Sequence, residues 1–150
     1  MEILRSPDDA IDGLAGYPTD RRWVEIPAGD GQTLRVHMID TGPADAPVVV
    51  MLHGNPSWSW IWRHQVGPVV DAGHRVIAPD LVGMGMSDKP SSLDDYSVAS
   101  HVEWMRALFV DELGLADASF VLHDWGGVIG MRLAAEVPGL VSRMTISNTC

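Results

Sequence analysis

Three stretches of the chain are apolar without interruption or nearly so: Val48-Val49-Val50-Met51-Leu52, Val76-Ile77-Ala78 after Arg75, and Phe120-Val121-Leu122 between Ser119 and His123. Runs of this kind suit strands covered on both faces, as in a parallel sheet. Elsewhere the apolar residues recur at helical spacing. Val98, Val102, Met105, Leu108, Phe109 and Leu113 fall on one face of a helix predicted over 97–113. Ser97 stands where an N-cap belongs, and Gly114 where a C-terminal glycine does. Residues 126–136 read as a helix stopped by Pro138-Gly139, and 144–147 as a short strand. Upstream, 23–26 reads as a strand ended by Pro27 and the Gly29-Asp30-Gly31 turn. Leu34, Val36 and Met38 alternate imperfectly with Arg35, His37 and Ile39, which predicts a hairpin partner. Residues 58–70 read as a helix with Ser57 at its N-cap and Gly67-Pro68 interrupting its end. Residues 81–90 read as a glycine-bearing loop and 1–22 as an irregular leader.

The order is three strands, then helix and strand in alternation to a last strand. It predicts an α/β fold: a mostly parallel sheet with helices on both faces. The chain stops directly after a strand. Residues 1–150 are therefore expected to be the front portion of a larger core domain, cut after about six strands. No internal repeat or linker interrupts it.

Charge and composition narrow the functions. A formal net charge of −10 and a pI near 4.7 argue against nucleic acid, which needs a basic face. The single cysteine, Cys150, permits no intrachain disulfide and no cysteine metal motif. The N-terminus has no apolar signal core, and no apolar run approaches the ~18 residues of a membrane span. A cytoplasmic protein without membrane contact is expected. Gly83-x-Gly85 lacks the spacing and setting of a nucleotide loop, so no cofactor is expected.

The residues with chemical promise lie where strands end. Phe120 to Gly130 reads as strand, sharp turn and helix, with Asp124 at the apex. Asp124 has two readings: a helix N-cap, or the apex of an elbow that presents a reactive side chain above a sheet. Gly126 and Gly127 are poor helix formers and favour the elbow, where backbones approach closely. His53-Gly54-Asn55-Pro56 follows another buried strand and belongs to the same rim, where open α/β sheets bind ligands. Backbone N–H groups of Asn55 and Trp125 can converge there as an oxyanion hole. The Asn55 amide and the Trp125 indole can both donate to an anion. Taken alone, Asn55-Pro56 is a plain turn. Trp58, Trp60, Trp62 and Trp104 read as core rather than pocket. Asp80 reads as holding the 83–87 loop by local hydrogen bonds. His37, His64, His74 and His101 read as solvated or helix-surface residues.

Together, Leu52-His53-Gly54-Asn55-Pro56, Trp58-Ser59-Trp60 to Arg63, Ala78-Pro79-Asp80 through Lys89-Pro90, and His123-Asp124-Trp125-Gly126-Gly127 resemble the N-terminal part of a haloalkane dehalogenase of the α/β-hydrolase fold. The leader from Leu4-Arg5-Ser6-Pro7 to Tyr17-Pro18 is also similar. The resemblance implies that Asp124 is the nucleophile and displaces halide from an sp³ carbon. Asn55 and Trp125 are then the halide-binding residues, and the partners are a small halogenated alkane, water and halide. It makes His53 a structural histidine beside the oxyanion loop. It implies a histidine base and a lid beyond residue 150. In some subfamilies the acid that orients the base follows the strand after the elbow helix; the nearest position here is Asn148, which is no carboxylate. The general base and the orienting acid are thus expected to be missing from this chain. Epoxide hydrolases share the Asp-Trp-Gly elbow but tend to carry an aromatic residue where Asn55 stands. Coelenterate-type luciferases share both residues, and the Pro56 context favours the dehalogenase. A truncated paralogue without turnover is the non-enzymatic alternative.

Overall fold

The computed structural model describes residues 1–29 and 31–149; Asp30 of the Gly29-Asp30-Gly31 turn and the lone cysteine, Cys150, lie outside the described residues. Eight strands are present among them: β1 (Ile3–Leu4), β2 (Arg21–Gly29), β3 (Gln32–Thr41), β4 (Val48–Leu52), β5 (Arg75–Pro79), β6 (Lys89–Pro90), β7 (Ala118–His123) and β8 (Val141–Ser147). Six of them form one sheet in the order β2-β3-β5-β4-β7-β8. β3 runs antiparallel to both its neighbours, β2 and β5, whereas β5, β4, β7 and β8 are mutually parallel. The three apolar runs are the three central parallel strands, with Val50 in register with both Ile77 and Phe120. This is the mostly parallel α/β sheet that the pattern predicts.

Alternate residues of these strands serve opposite faces of the sheet. Val50, Leu52, Ile77, Phe120 and Leu122 pack with Val102, Met105, Leu108 and Phe109 of α2 (Val98–Arg106) and the π-helical turn that continues it (Ala107–Glu112), and with Ile129 and Leu133 of α3 (Trp125–Glu136). Val49, Met51, Val76 and Ala78 pack on the other face with Trp62 and with Val66 of α1 (Val66–Asp71). Helices therefore cover both faces. Ser97 caps α2 by accepting the Ser100 N–H at 3.0 Å, and Gly114 has φ +59.

Several local expectations are corrected. Residues 58–70 are not one helix: a 3₁₀ turn at Ser59–Trp62 is followed by α1. Pro68 lies in the first turn of α1, where its missing N–H costs nothing, rather than at the end of a helix. Ser57 caps nothing; its hydroxyl donates to the Gly54 carbonyl at 3.0 Å. β2 runs through Pro27, because β2 is an edge strand whose outer side needs no donor. The leader is irregular over most of its length but is anchored: β1 pairs with β6, Ile11 and Tyr17 are buried, and Arg5 pairs with the buried Asp88 at 2.9 Å. Val98 is 37% exposed despite its place on the predicted apolar face, and the neighbouring Trp104 is buried instead.

Candidate active site

Two chain crossings on one rim of the sheet build the site: the turn after β4 and the turn between β7 and α3. At the second, Asp124 has φ 52 and ψ −126. A non-glycine residue there stores on the order of 1–3 kcal/mol of strain and persists only where its surroundings over-determine it. The N-cap reading of Asp124 fails, since its side chain makes no cap hydrogen bond to α3. Its Oδ1 instead accepts the Asn55 N–H at 2.9 Å, across the rim. Trp125 N–H foremost, and Asn55 N–H with it, hold the Asp124 carboxyl below the usual carboxylate range.

The glycines make this approach possible. A Cβ on Gly54 would overlap the Asp124 carboxyl, and one on Gly126 would overlap the carbonyl oxygens of Leu52 and His53. The elbow thus packs directly on the end of β4. Helix propensity alone favours Gly126→Ala by about 1 kcal/mol, but the clash is with backbone that cannot rotate away. Gly126→Ala is expected to destabilise the protein by about 2 kcal/mol, read as a lower urea midpoint. Gly67→Ala in α1 meets nothing within 4 Å and is expected to stabilise.

His53 holds the first crossing from below. It is fully buried, and its ring is fixed as one tautomer. Nε2 must accept, because the Leu81 N–H donates to it at 2.9 Å, so Nδ1 donates to the Gly54 carbonyl at 2.8 Å. Burial pushes its pKa down, which keeps it neutral. This matches the structural role expected of it.

Asn55 and the 45% exposed Trp125 border a cleft of about 290 Å³ with apolar walls from Leu81, Met84, Val98 and Ile129. Tyr96 and His101 also line it. His101 is therefore no helix-surface residue; burial pushes it down to about 4, and its Nδ1 is buried without a partner among the described residues. Its spacing held the signal, three residues before Trp104 and four before Met105, both buried on that side of α2. His37 is also corrected. It is fully buried and donates through Nδ1 to Asp80 Oδ2 at 2.9 Å, because β3 is covered on both faces. His64 is exposed and His74 half-buried, neither of them at the cleft. His123 does not line the cleft either. Trp62 and Trp104 are buried core, Trp58 and Trp60 pack on Tyr17, and none of the four lines the cleft.

Asp80 does more than hold its own loop. Its carboxylate accepts the Met86 N–H at 2.9 Å as expected, and also the Ser59 N–H at 2.8 Å and His37 Nδ1. It ties β5, the 83–87 loop, β3 and the turn after β4 together. No helix of the described residues is long and apolar enough to cross a membrane.

Residues 47–150 match the family model for the alpha/beta hydrolase fold, and the chain belongs to that family. Within it, the chain is similar over nearly its whole length to haloalkane dehalogenases. Those of Mycolicibacterium paratuberculosis and Mycobacterium marinum are 45% identical over 148 residues, which cover 99% of this chain and 49% and 50% of theirs. The tetrameric structure of haloalkane dehalogenase DpaA from Paraglaciecola agarilytica superposes with a TM-score of 0.91 at 33% identity, covering 99% of this chain and 50% of that one. Epoxide hydrolase VrEH1 from Vigna radiata gives 0.74 at 33% identity, covering 84% of this chain and 39% of that one. The chain spans about half the length of the curated relatives it matches.

Proposed function

We propose that the site performs hydrolytic dehalogenation of small haloalkanes through an alkyl ester on Asp124. One observation carries this reading: a carboxylate at the elbow apex accepts the Asn55 N–H at 2.9 Å and is held below the usual range by the Trp125 and Asn55 backbone N–H groups, beside a cleft bordered by Asn55 and Trp125. A carboxylate oxygen attacks the carbon that bears halogen. The C–O bond forms as the C–halogen bond breaks, and halide leaves with the bonding pair. The Asn55 amide and the Trp125 indole N–H supply weak donors to that halide. No base is needed, because the nucleophile is already deprotonated. Water must then attack the ester carbonyl, with the same Asn55 and Trp125 N–H pair stabilising the oxyanion.

That second step needs a base, and we assign it to none of residues 1–149. Both His53 nitrogens are engaged, His37 is sealed in the core, and His101 is too weakly basic at about 4. β8 is followed by Asn148, so no carboxylate stands there to orient a base. The reading takes a haloalkane and water, releases halide, and requires no cofactor. Asn55, rather than an aromatic residue, favours halide over epoxide, although the structural likeness extends to epoxide hydrolases.

The test is intact mass and peptide mapping after incubation with 1-bromobutane, with styrene oxide in parallel. The expected result is one butyl adduct on Asp124 without alcohol release. Because the carboxyl lies below its usual range, adduct formation should be flat from pH 8 to about 5 and fall only below the ordinary carboxylate value of ~3.9. Repeated halide release would overturn the missing base. Modification by the epoxide alone would favour the epoxide hydrolase. No modification by either would favour an inactive paralogue.

A further inference from the structure

The Asp124–Trp125 peptide carries the Trp125 N–H, the group that does most to hold the Asp124 carboxyl below its usual range and one of the two proposed to meet the oxyanion, so its orientation matters to the chemistry proposed above. That peptide is planar and trans, with its carbonyl oxygen and its N–H on opposite sides. Whatever pins the carbonyl therefore aims the N–H. The Gly127 N–H donates to the Asp124 carbonyl at 2.9 Å, as part of α3. The other partner is a side chain from beyond β8: Thr149 Oγ1 donates to it at 3.1 Å, with the Ser147 carbonyl a weaker alternative at 3.3 Å. Asn148 has φ 49, a value asparagine tolerates, and lies between the end of β8 and Thr149. The Asp124 N–H reaches back to the Ser147 carbonyl at 3.3 Å. The Thr149 side chain also occupies the space that a Cβ on Gly127 would need. The glycine and the threonine are a matched pair, and the threonine is held against the elbow by packing as well as by its hydroxyl.

We propose that Thr149 is a positioning residue for the nucleophile, its hydroxyl pinning the Asp124 carbonyl so that the Trp125 N–H stays aimed at the carboxylate and at the oxyanion that forms there. Thr149 does not line the cleft. It acts through one peptide unit, from just beyond the strand that follows the elbow helix. This inference rests on the reading of Asp124 as nucleophile, but the hydrogen bond it concerns can be read without any substrate.

The experiment compares Thr149→Val, which keeps the packing against Gly127 and removes the hydroxyl, with Thr149→Ser, which keeps the hydroxyl. Two quantities are read: the NMR titration of the ¹³C-labelled Asp124 carboxyl, and the rate of single alkylation by 1-bromobutane. Loss of one aiming hydrogen bond should move the titration of the Val variant up toward the ordinary aspartate value. It should slow alkylation about tenfold, with the dependence on haloalkane concentration unchanged. The Ser variant should restore both. A Val variant that titrates and reacts like the wild type overturns the proposal, and so does a Ser variant as impaired as Val. If Val does not fold, Thr149→Ala removes the hydroxyl without adding bulk and is judged by the same readings. Should the wild type resist alkylation, the dehalogenase reading fails, while the titration still decides the role of Thr149.

Discussion

Asp124→Asn is expected to abolish adduct formation, slowing it by at least about a thousandfold, while leaving the protein folded. The carboxamide is neutral, and its oxygen is a far weaker nucleophile toward an sp³ carbon. Nothing else at the rim substitutes for it. His53 is buried with both nitrogens engaged, and Ser57 donates its proton to the Gly54 carbonyl. The fold should survive, because asparagine tolerates a positive φ better than almost any other residue. The Asn55 N–H, which now reaches Asp124 Oδ1 at 2.9 Å, can still find the amide oxygen. Time-resolved intact mass with 1-bromobutane, beside a far-ultraviolet circular dichroism spectrum, separates chemistry from folding. Alkylation of the Asn variant at the wild-type rate, at any residue, would remove Asp124 from the mechanism.

Asp80→Ala should cost more stability than any other single change considered for this chain. The carboxylate is wholly buried and accepts from three donors, Ser59 N–H, Met86 N–H and His37 Nδ1. Its removal strands all three where water does not reach. Breaking a buried charged network of this kind costs about 3–5 kcal/mol, which for a chain of this size lowers Tm by about 10 °C. pH supplies a second check. Burial by itself would raise the Asp80 carboxyl, but His37 and the Met86 and Ser59 N–H groups outweigh it, and the net shift is downward. A carboxyl depressed in the folded state stabilises fully above its unfolded value of ~3.9 and loses that contribution as pH falls through the folded value. The gap in Tm between wild type and Asp80→Asn should therefore be widest near neutrality and narrow below about pH 4. A gap that is constant with pH would mean that the charge on Asp80 contributes nothing.

Asp80 also shows how far a linear reading reaches. Its bond to the 83–87 loop was legible, because Met86 lies six residues away and short polar residues bond locally. Its bonds to Ser59 and His37 span 21 and 43 residues and were not. His37 looked solvated because alternation in a strand reports two faces without saying whether both are covered. The reading of 58–70 as one helix failed for a related reason. Apolar residues cluster there because they meet the leader and α1, where Tyr17 hydrogen-bonds Ser59 at 2.5 Å, and not because they share a helical face.

By itself the sequence determined the order of elements, the three buried strands and the place of a carboxylate between strand and helix. Apolar runs, caps and glycine pairs report the state of their own few residues. It also placed Asn55 and Asp124 on one rim, since both follow strands of a parallel sheet. Only the tertiary structure decided what meets at that rim: the Asn55 N–H across 69 residues, and the Thr149 hydroxyl across 25. It also decided that His101 faces the cleft and His37 the core. Those partnerships depend on strand order and register, which arise from packing distant segments against one another and have no local pattern to mark them.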